Sequence, residues 1–261
     1  EQEFKRIATL MRRRLLISSN RKAIPHLGSC LSCIDILVYL YMKQVPLDCP
    51  GNFFLSKGHA APALFHVLNY FNILDVPQFD DNFGSNGSIF HEHPPSPELV
   101  PNIGAATGSL GHGLSIAVGN AYANRLLSPH YYTFTLLGDG ECNEGSIWEA
   151  AQIAASSNLN ALIAVIDYNK WQATGRTDAI SGHTSLLDKF TSFGWFSMKA
   201  DGHSFTSLEC CFEQAKLNKR PTAIIASTVK GKGIDFMEDN NNWHYRIPDD
   251  FELKLALKKL G

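Results

Sequence analysis

The stretch Tyr131-Tyr-Thr-Phe-Thr-Leu-Leu-Gly-Asp-Gly140 reads as a buried strand that ends in an acid held between two glycines. Its apolar residues run without alternation, as they do when helices cover both faces of a parallel sheet. A second such run, Leu162-Ile-Ala-Val-Ile-Asp167, comes later, and Asn169 stands just past its end. Between the two, residues 145–156 read as a helix. Strand, helix and strand in that order predict parallel strands in an α/β fold. If the two strands are neighbours, Asp139 and Asn169 emerge side by side, although 28 residues lie between Gly140 and Asn169.

The same texture continues outward. Residues 204–217 read as a helix and 222–229 as a strand. Upstream, Thr107-Gly-Ser-Leu-Gly-His-Gly113 leads into a helix that ends near Leu127. Residues 80–101 are rich in Gly, Pro, Asn and Ser, which predicts a long and often functional kind of loop. Before it, helices are predicted over 4–16, where Phe4, Ile7, Leu10 and Met11 keep helical spacing, and over 30–42 and 60–73. The expectation is a doubly wound α/β fold, with a mostly parallel sheet and helices on both faces. It would form one domain over 1–261, with a helical and loop-rich first third over 1–105.

Composition bounds the function. With 261 residues and 44% hydrophobic content, the chain can bury a sizeable core. A formal net charge of −2 gives no basic excess for a nucleic acid or an anionic membrane surface. No apolar run approaches the roughly 20 residues of a membrane span. Cys30 and Cys33 form one CxxC in an apolar helical stretch, with no second pair to complete a zinc site. The six cysteines therefore read as reduced thiols of a cytoplasmic protein.

At the strand ends, one carboxylate and one amide oxygen would meet. Two hard oxygens, a backbone carbonyl, waters and phosphate oxygens make an octahedral magnesium site. The flanking glycines let the backbone approach an anion closely. The helix starting near Glu144 would turn its positive end toward a diphosphate. The P-loop, the G-x-G-x-x-G fingerprint and the G-x-S-x-G elbow are all absent from the sequence.

With Gly138-Asp-Gly140 and Asn169 in place, the chain resembles thiamine-diphosphate enzymes. Further phrases narrow the resemblance to the transketolase family. They are Phe54-Leu-Ser-Lys-Gly-His-Ala60, Thr107-Gly-Ser-Leu-Gly111, Gly138-Asp-Gly-Glu-Cys-Asn-Glu-Gly-Ser-Ile-Trp-Glu149, Asp201-Gly-His203, Thr228-Val-Lys-Gly-Lys-Gly233 and Trp243-His244. Their order matches the N-terminal half of a transketolase, from about Pro25 to His244.

The resemblance implies a fold, a cofactor and roles. Asp139, Asn169 and the Trp171 carbonyl would ligate Mg2+, for which Ca2+ or Mn2+ could substitute. His59 would contact the diphosphate of thiamine diphosphate. Gly108, Ser109 and Leu110 would line the cofactor, and Gly140 would touch a phosphate through its backbone. His26, His93 and His244 match histidines placed beside the donor and acceptor sugars, with His91 a competitor for His93. Glu144 and Glu149 match acids that link two cofactor sites across a subunit interface.

The implied activity is transfer of a two-carbon ketol unit from a ketose to an aldose. The implied partner is a C-terminal, pyrimidine-binding transketolase subunit in an α2β2 heterotetramer, without which the site is incomplete. The alternative is a related carboligase acting on a modified or nucleotide-linked sugar or another biosynthetic ketone. His112 and Tyr245 motivate it, since the family usually has Gln and Gly at those places.

Overall fold

A computed structural model describes residues 1–261 apart from Asp75, Pro77, Pro129 and His183. The chain opens with helices α1 (Gln2–Lys22) and α2 (Leu27–Lys43). Strand β1 (Phe53–Leu55), α3 (Ala61–Tyr70) and the one-turn α4 (Phe79–Asn82) follow. Next come α5 (His112–Leu127), β2 (Thr133–Gly138), α6 (Gly145–Ser156) and β3 (Leu162–Tyr168). The short α7 (Thr177–Ser181) and α8 (Leu186–Ser192) lead to β4 (Phe196–Asp201). Helix α9 (Phe205–Leu217), β5 (Thr222–Ser227) and α10 (Asp250–Leu260) complete it.

Among the described residues, the strands form one five-stranded sheet in the order β1-β2-β3-β5-β4, with every pair parallel. Burial on two sides explains the unbroken apolar runs. Phe134, Leu136, Ile163, Val165, Ile224 and Ala226 enter a core shared with α1, α2, α3 and α9. The intervening Leu137, Leu162, Ala164, Ile166, Ala223 and Ile225 enter a second core under α5, α6 and α8. Fully burying a Leu or Ile is worth ~1.5–3 kcal/mol, so both faces of these strands stabilise the fold. The α/β class expected from the sequence is the one that forms.

Several boundaries differ from expectation for local reasons. Helix α3 stops at Tyr70, short of 73, because Asn72 takes a left-handed φ of 55°. Strand β2 starts at Thr133 rather than 131, because the Tyr131 N–H closes a turn onto the Ser128 carbonyl. Strand β5 stops at Ser227, where Thr228 turns its hydroxyl onto Asp167. Strand β1, with three residues, is too short to show a period, and β4 is an edge strand of mixed polarity. Helix α10 is also additional, although its capping box of Asp249 and Glu252 is a readable signal.

The loop expected over 80–101 is anchored from below. The Phe65 ring of α3 lies 6.0 Å from Phe83 and 5.2 Å from Phe90, edge to face. These buried rings fix the segment that carries His93.

Candidate active site

The register of the sheet builds the site. Gly138 of β2 pairs with Asp167 of β3. Asp139 therefore leaves β2 level with the end of β3, and its N–H donates to the Asp167 carbonyl at 3.3 Å. Asn169 follows two residues past Asp167. Its Nδ2 donates to Asp167 Oδ2 at 3.1 Å, and its Oδ1 accepts the Trp171 N–H at 3.0 Å. Asp139 and Asn169 thus come together at the carboxyl edge, where open parallel sheets bind ligands.

Asp139 is 1% exposed. Its Oδ2 accepts the Thr177 hydroxyl at 2.8 Å, while Oδ1 is buried with no hydrogen-bond partner. Burial pushes its carboxyl up to about 6, against the Thr177 hydrogen bond. A buried, unpartnered carboxylate oxygen costs free energy unless something satisfies it. Among the described residues, no group of three or more His, Cys, Asp or Glu side chains can hold a metal. A hard cation here would rest on Asp139, an amide, a backbone carbonyl and oxygens of its ligand, which is the donor set magnesium accepts.

A buried network sets this geometry. Lys57 and Asp167 form an ion pair with side chains 1% and 0% exposed. Asp167 also accepts from Ser32 at 2.6 Å and from Thr228, and Lys57 donates to the Ser29 carbonyl at 3.0 Å. Burial alone would raise Asp167, but Lys57 and the hydroxyls hold it below the usual carboxylate range. Burial pulls Lys57 down, and Asp167 more than reverses it. Glu141 is a second clasp: its carboxylate accepts from Ser56 after β1, from Gly111 N–H at 2.9 Å and from Gly138 N–H at 3.0 Å. Gly111 caps α5 at φ 87°, where a Cβ would fall 2.5 Å from Ser146 Oγ. Gly58 is equally constrained, since a Cβ there would meet the Thr107 carbonyl at 2.6 Å.

Over this floor opens a cleft of about 360 Å³. The rings of His59, His93 and His244 lie 5.4, 6.3 and 5.2 Å from that of His26. Tyr245 closes against His244 at 4.6 Å. His26 caps α2 at a left-handed φ of 65°, a strained conformation for a non-glycine residue, and its N–H donates to the His244 carbonyl at 2.8 Å. Burial, then His93, Lys230 and Lys57, pull His26 down to about 4. Burial and Lys230 pull His244 down to about 3, and burial with Lys57 takes His59 well below its ordinary value. These three imidazoles are neutral at neutral pH and can meet a ligand's polar groups as donors or acceptors.

Most of the residues singled out from sequence gather here. Asp139, Gly140, Glu144, Asn169, Trp171, Gly108 and Leu110 line the cleft with His26, His59, His93 and His244. His93 lines it, whereas His91 does not. Ser109 is exposed beside the cleft, and Glu149 is exposed on α6 outside it. Sequence reasoning gave no role to Lys57, Glu141, Asp167 or Lys230. Asp167 carried one signal, a charged residue closing an apolar strand. Lys57 and Lys230 stand inside phrases quoted for the family resemblance, but nothing local marked either as buried.

The fold and this cleft define a thiamine-diphosphate-binding domain. Residues 17–261 match a family described as "Transketolase, thiamine diphosphate binding domain". The chain belongs to the transketolase family, as an N-terminal, thiamine-diphosphate-binding, transketolase-type transferase chain. It is 35% identical over 258 residues to a subunit of the apulose-4-phosphate transketolase of Phocaeicola vulgatus, covering 96% of this chain and 91% of that one. It is 37% identical over 242 residues to the 6-deoxy-6-sulfo-D-fructose transketolase subunit SqwG of a Clostridium species, covering 88% and 86%. The solved transketolase of Campylobacter jejuni superimposes with a TM-score of 0.87 at 26% identity, over 99% of this chain and 43% of that one. The chain thus spans less than half the length of that solved transketolase. No helix among the described residues is long and apolar enough to cross a membrane.

Proposed function

We propose that this chain is the diphosphate-binding half of a two-subunit transketolase. The reaction moves a two-carbon ketol unit from a ketose, or ketose phosphate, to an aldose acceptor. One observation carries the reading. An orphaned buried carboxylate oxygen on Asp139 stands beside Asn169 under a ring of imidazoles, in a chain of this family.

Asp139, Asn169 and the Trp171 carbonyl would hold Mg2+, with Ca2+ or Mn2+ as substitutes. His59 and the backbone around Gly108, Ser109, Leu110 and Gly140 would hold the diphosphate of thiamine diphosphate. The bound cofactor supplies the electron sink for carbon–carbon cleavage. The protein's own part is to orient. His26, His93 and His244 would bond the sugar oxygens and exchange protons with them, with Lys57 and Asp167 fixing the Asn169 amide beneath.

The partner is a pyrimidine-binding subunit, in an α2β2 assembly of cytoplasmic chains. Two features support an interface on the α5 and α6 side. Glu149 is exposed on α6, and Ile116, Tyr122, Leu126, Leu127 and Ile153 are 40–81% exposed along the same two helices. The free state of all six thiols fits a reducing compartment. The whole of 1–261 would act as one domain, because α1–α3 share a core with the sheet.

A modified sugar is the second reading, and Tyr245 favours it. The residue is 62% exposed at the cleft and its ring packs edge-on against His26 at 5.7 Å, where the family usually has glycine. The relatives named for apulose 4-phosphate and 6-deoxy-6-sulfofructose make these sugars the first donors to try beside xylulose 5-phosphate.

The test is a ketol-transfer assay to ribose 5-phosphate with thiamine diphosphate and Mg2+, on the chain alone and with the protein encoded beside it. Transfer only in the mixture supports a shared site. A mixture that binds the cofactor and transfers from none of the three donors refutes the ketol-transfer reading.

A further inference from the structure

Lys230 is 1% exposed behind His244, which lines the cleft, yet neither of its hydrogen-bond partners is a carboxylate. Its Nζ lies 2.7 Å from Asn241 Oδ1 and 3.0 Å from His244 Nδ1. The other buried lysine, Lys57, is paired with Asp167. An ammonium has hydrogens to give and no lone pair to receive. His244 Nδ1 must therefore be the acceptor, and a neutral ring that accepts at Nδ1 carries its proton on Nε2. The Ser29 hydroxyl, 3.4 Å from the same Nδ1, lies on the same side of the ring.

The frame around this contact is stiff. The Asn241 amide donates to the Ala173 carbonyl at 3.0 Å, which ties it to the loop after Trp171. The His244 carbonyl accepts from His26 N–H at 2.8 Å. The Lys230 stem packs over Gly28 of α2, where a Cβ would lie 3.2 Å from Lys230 Cγ.

We propose that Lys230 is a positioning residue that fixes the neutral His244 imidazole as its Nε2–H tautomer, making the ring a hydrogen-bond donor to the ligand in the cleft. The direction of that bond selects chemistry. A donor at this point favours oxygens that only accept, such as a ketose carbonyl or a phosphate oxygen. A hydroxyl is taken only with its lone pair turned to the ring. The opposite tautomer would favour hydroxyl donors. The identity of the ligand rests on the function proposed above, whereas the tautomer does not.

The experiment is nitrogen NMR on the full chain labelled with [15N]histidine, where imidazole nitrogen shifts distinguish the two tautomers. The His244 signals are those that vanish in His244→Gln. The expected wild-type spectrum has Nδ1 unprotonated and Nε2 protonated, in at least about tenfold excess for a charge-assisted bond. In Lys230→Met the excess falls to the modest Nε2–H bias of a free imidazole, and His244 takes up a proton at higher pH than in the wild type. The titratable groups left facing it are Lys57, His26, His59 and Tyr245. A purely structural lysine would lower thermal stability in Lys230→Met and leave the tautomer unchanged. An Nδ1–H ring in the wild type overturns the proposal, as does an unchanged tautomer and titration in the variant. If Lys230→Met does not fold, the same tautomer ratio and titration are read in Lys230→Leu. Inactivity of the two-subunit mixture would count against the proposed reaction and not against this assignment.

Discussion

Replacing Lys57 with Met removes one charge from the most deeply buried ion pair of the site. Lys57→Met keeps the length and much of the volume of the side chain, so little cavity is made. What remains is the Asp167 carboxylate, 0% exposed, with hydroxyl and amide donors but no cation. Breaking a buried pair in this way costs ~3–5 kcal/mol. That is a large part of the ~5–15 kcal/mol that keeps a domain folded. Asp167→Asn should cost a similar amount, because it strands the ammonium instead. The double variant removes both charges and should lose less than the sum of the singles, by at least ~2 kcal/mol. Acidification reports the same physics. Without Lys57, burial lifts Asp167 above the ~3.9 of an unfolded aspartate, so the folded state takes up the proton more readily. The penalty of Lys57→Met must then shrink as the pH falls through the raised folded value toward ~3.9. Urea midpoints, followed by circular dichroism at fixed slope, measure all of this. A loss below ~1 kcal/mol for Lys57→Met, the range of a surface pair, would overturn this account, and so would strict additivity in the double variant.

Other variants probe the remaining charges. Asp139→Asn should stabilise the chain without its cofactor at pH 7, by on the order of 2 kcal/mol, because it removes a carboxylate that burial has pushed up to about 6. It should also weaken magnesium-dependent binding of thiamine diphosphate by at least about tenfold. Differential scanning and titration calorimetry read the two effects, and unchanged affinity would sink the metal assignment. Asp35 is the third case. It takes a bidentate bond from Arg12 at 3.0 and 2.6 Å and a bond from His203 Nδ1 at 2.7 Å. Burial pushes Asp35 up, but Arg12 and His203 together hold it below the ordinary carboxylate value. Its folded value lies below the unfolded ~3.9, so its contribution is present above that pH and is lost as the pH falls through the folded value. Asp35→Asn should therefore cost ~3–5 kcal/mol at pH 7, with the gap to wild type narrowing below pH ~3.9. Urea midpoints at the two pH values test it, and a gap that stays constant would exclude the ion pair as its source.

The class of fold was legible along the chain, because that information is local. Runs such as Leu162–Asp167 have apolar residues at nearly every position, and only a sheet covered on both faces buries them all. The two chemical groups at the floor of the site were legible for the same reason. Asp139 and Asn169 each follow a readable strand, and adjacent parallel strands leave their ends side by side. The resemblance supplied the histidines, and His26, His59, His93 and His244 do share one cleft.

How those groups are held came only with the folded chain. Whether His91 or His93 faces the cleft depends on where Phe83 and Phe90 sit against α3. That is a packing outcome with no period to read. Strand β1 has three residues and exists because β2 offers it an edge. The buried charges Lys57, Asp167, Glu141 and Lys230 come from positions spread between residues 57 and 230. They are tolerable only because folding pairs Lys57 with Asp167 and gives Glu141 and Lys230 hydrogen-bond partners. In sequence, a lysine that will be buried and one that will stay in water are the same letter. The burial that separates them arises from contacts between distant segments, which no local pattern records.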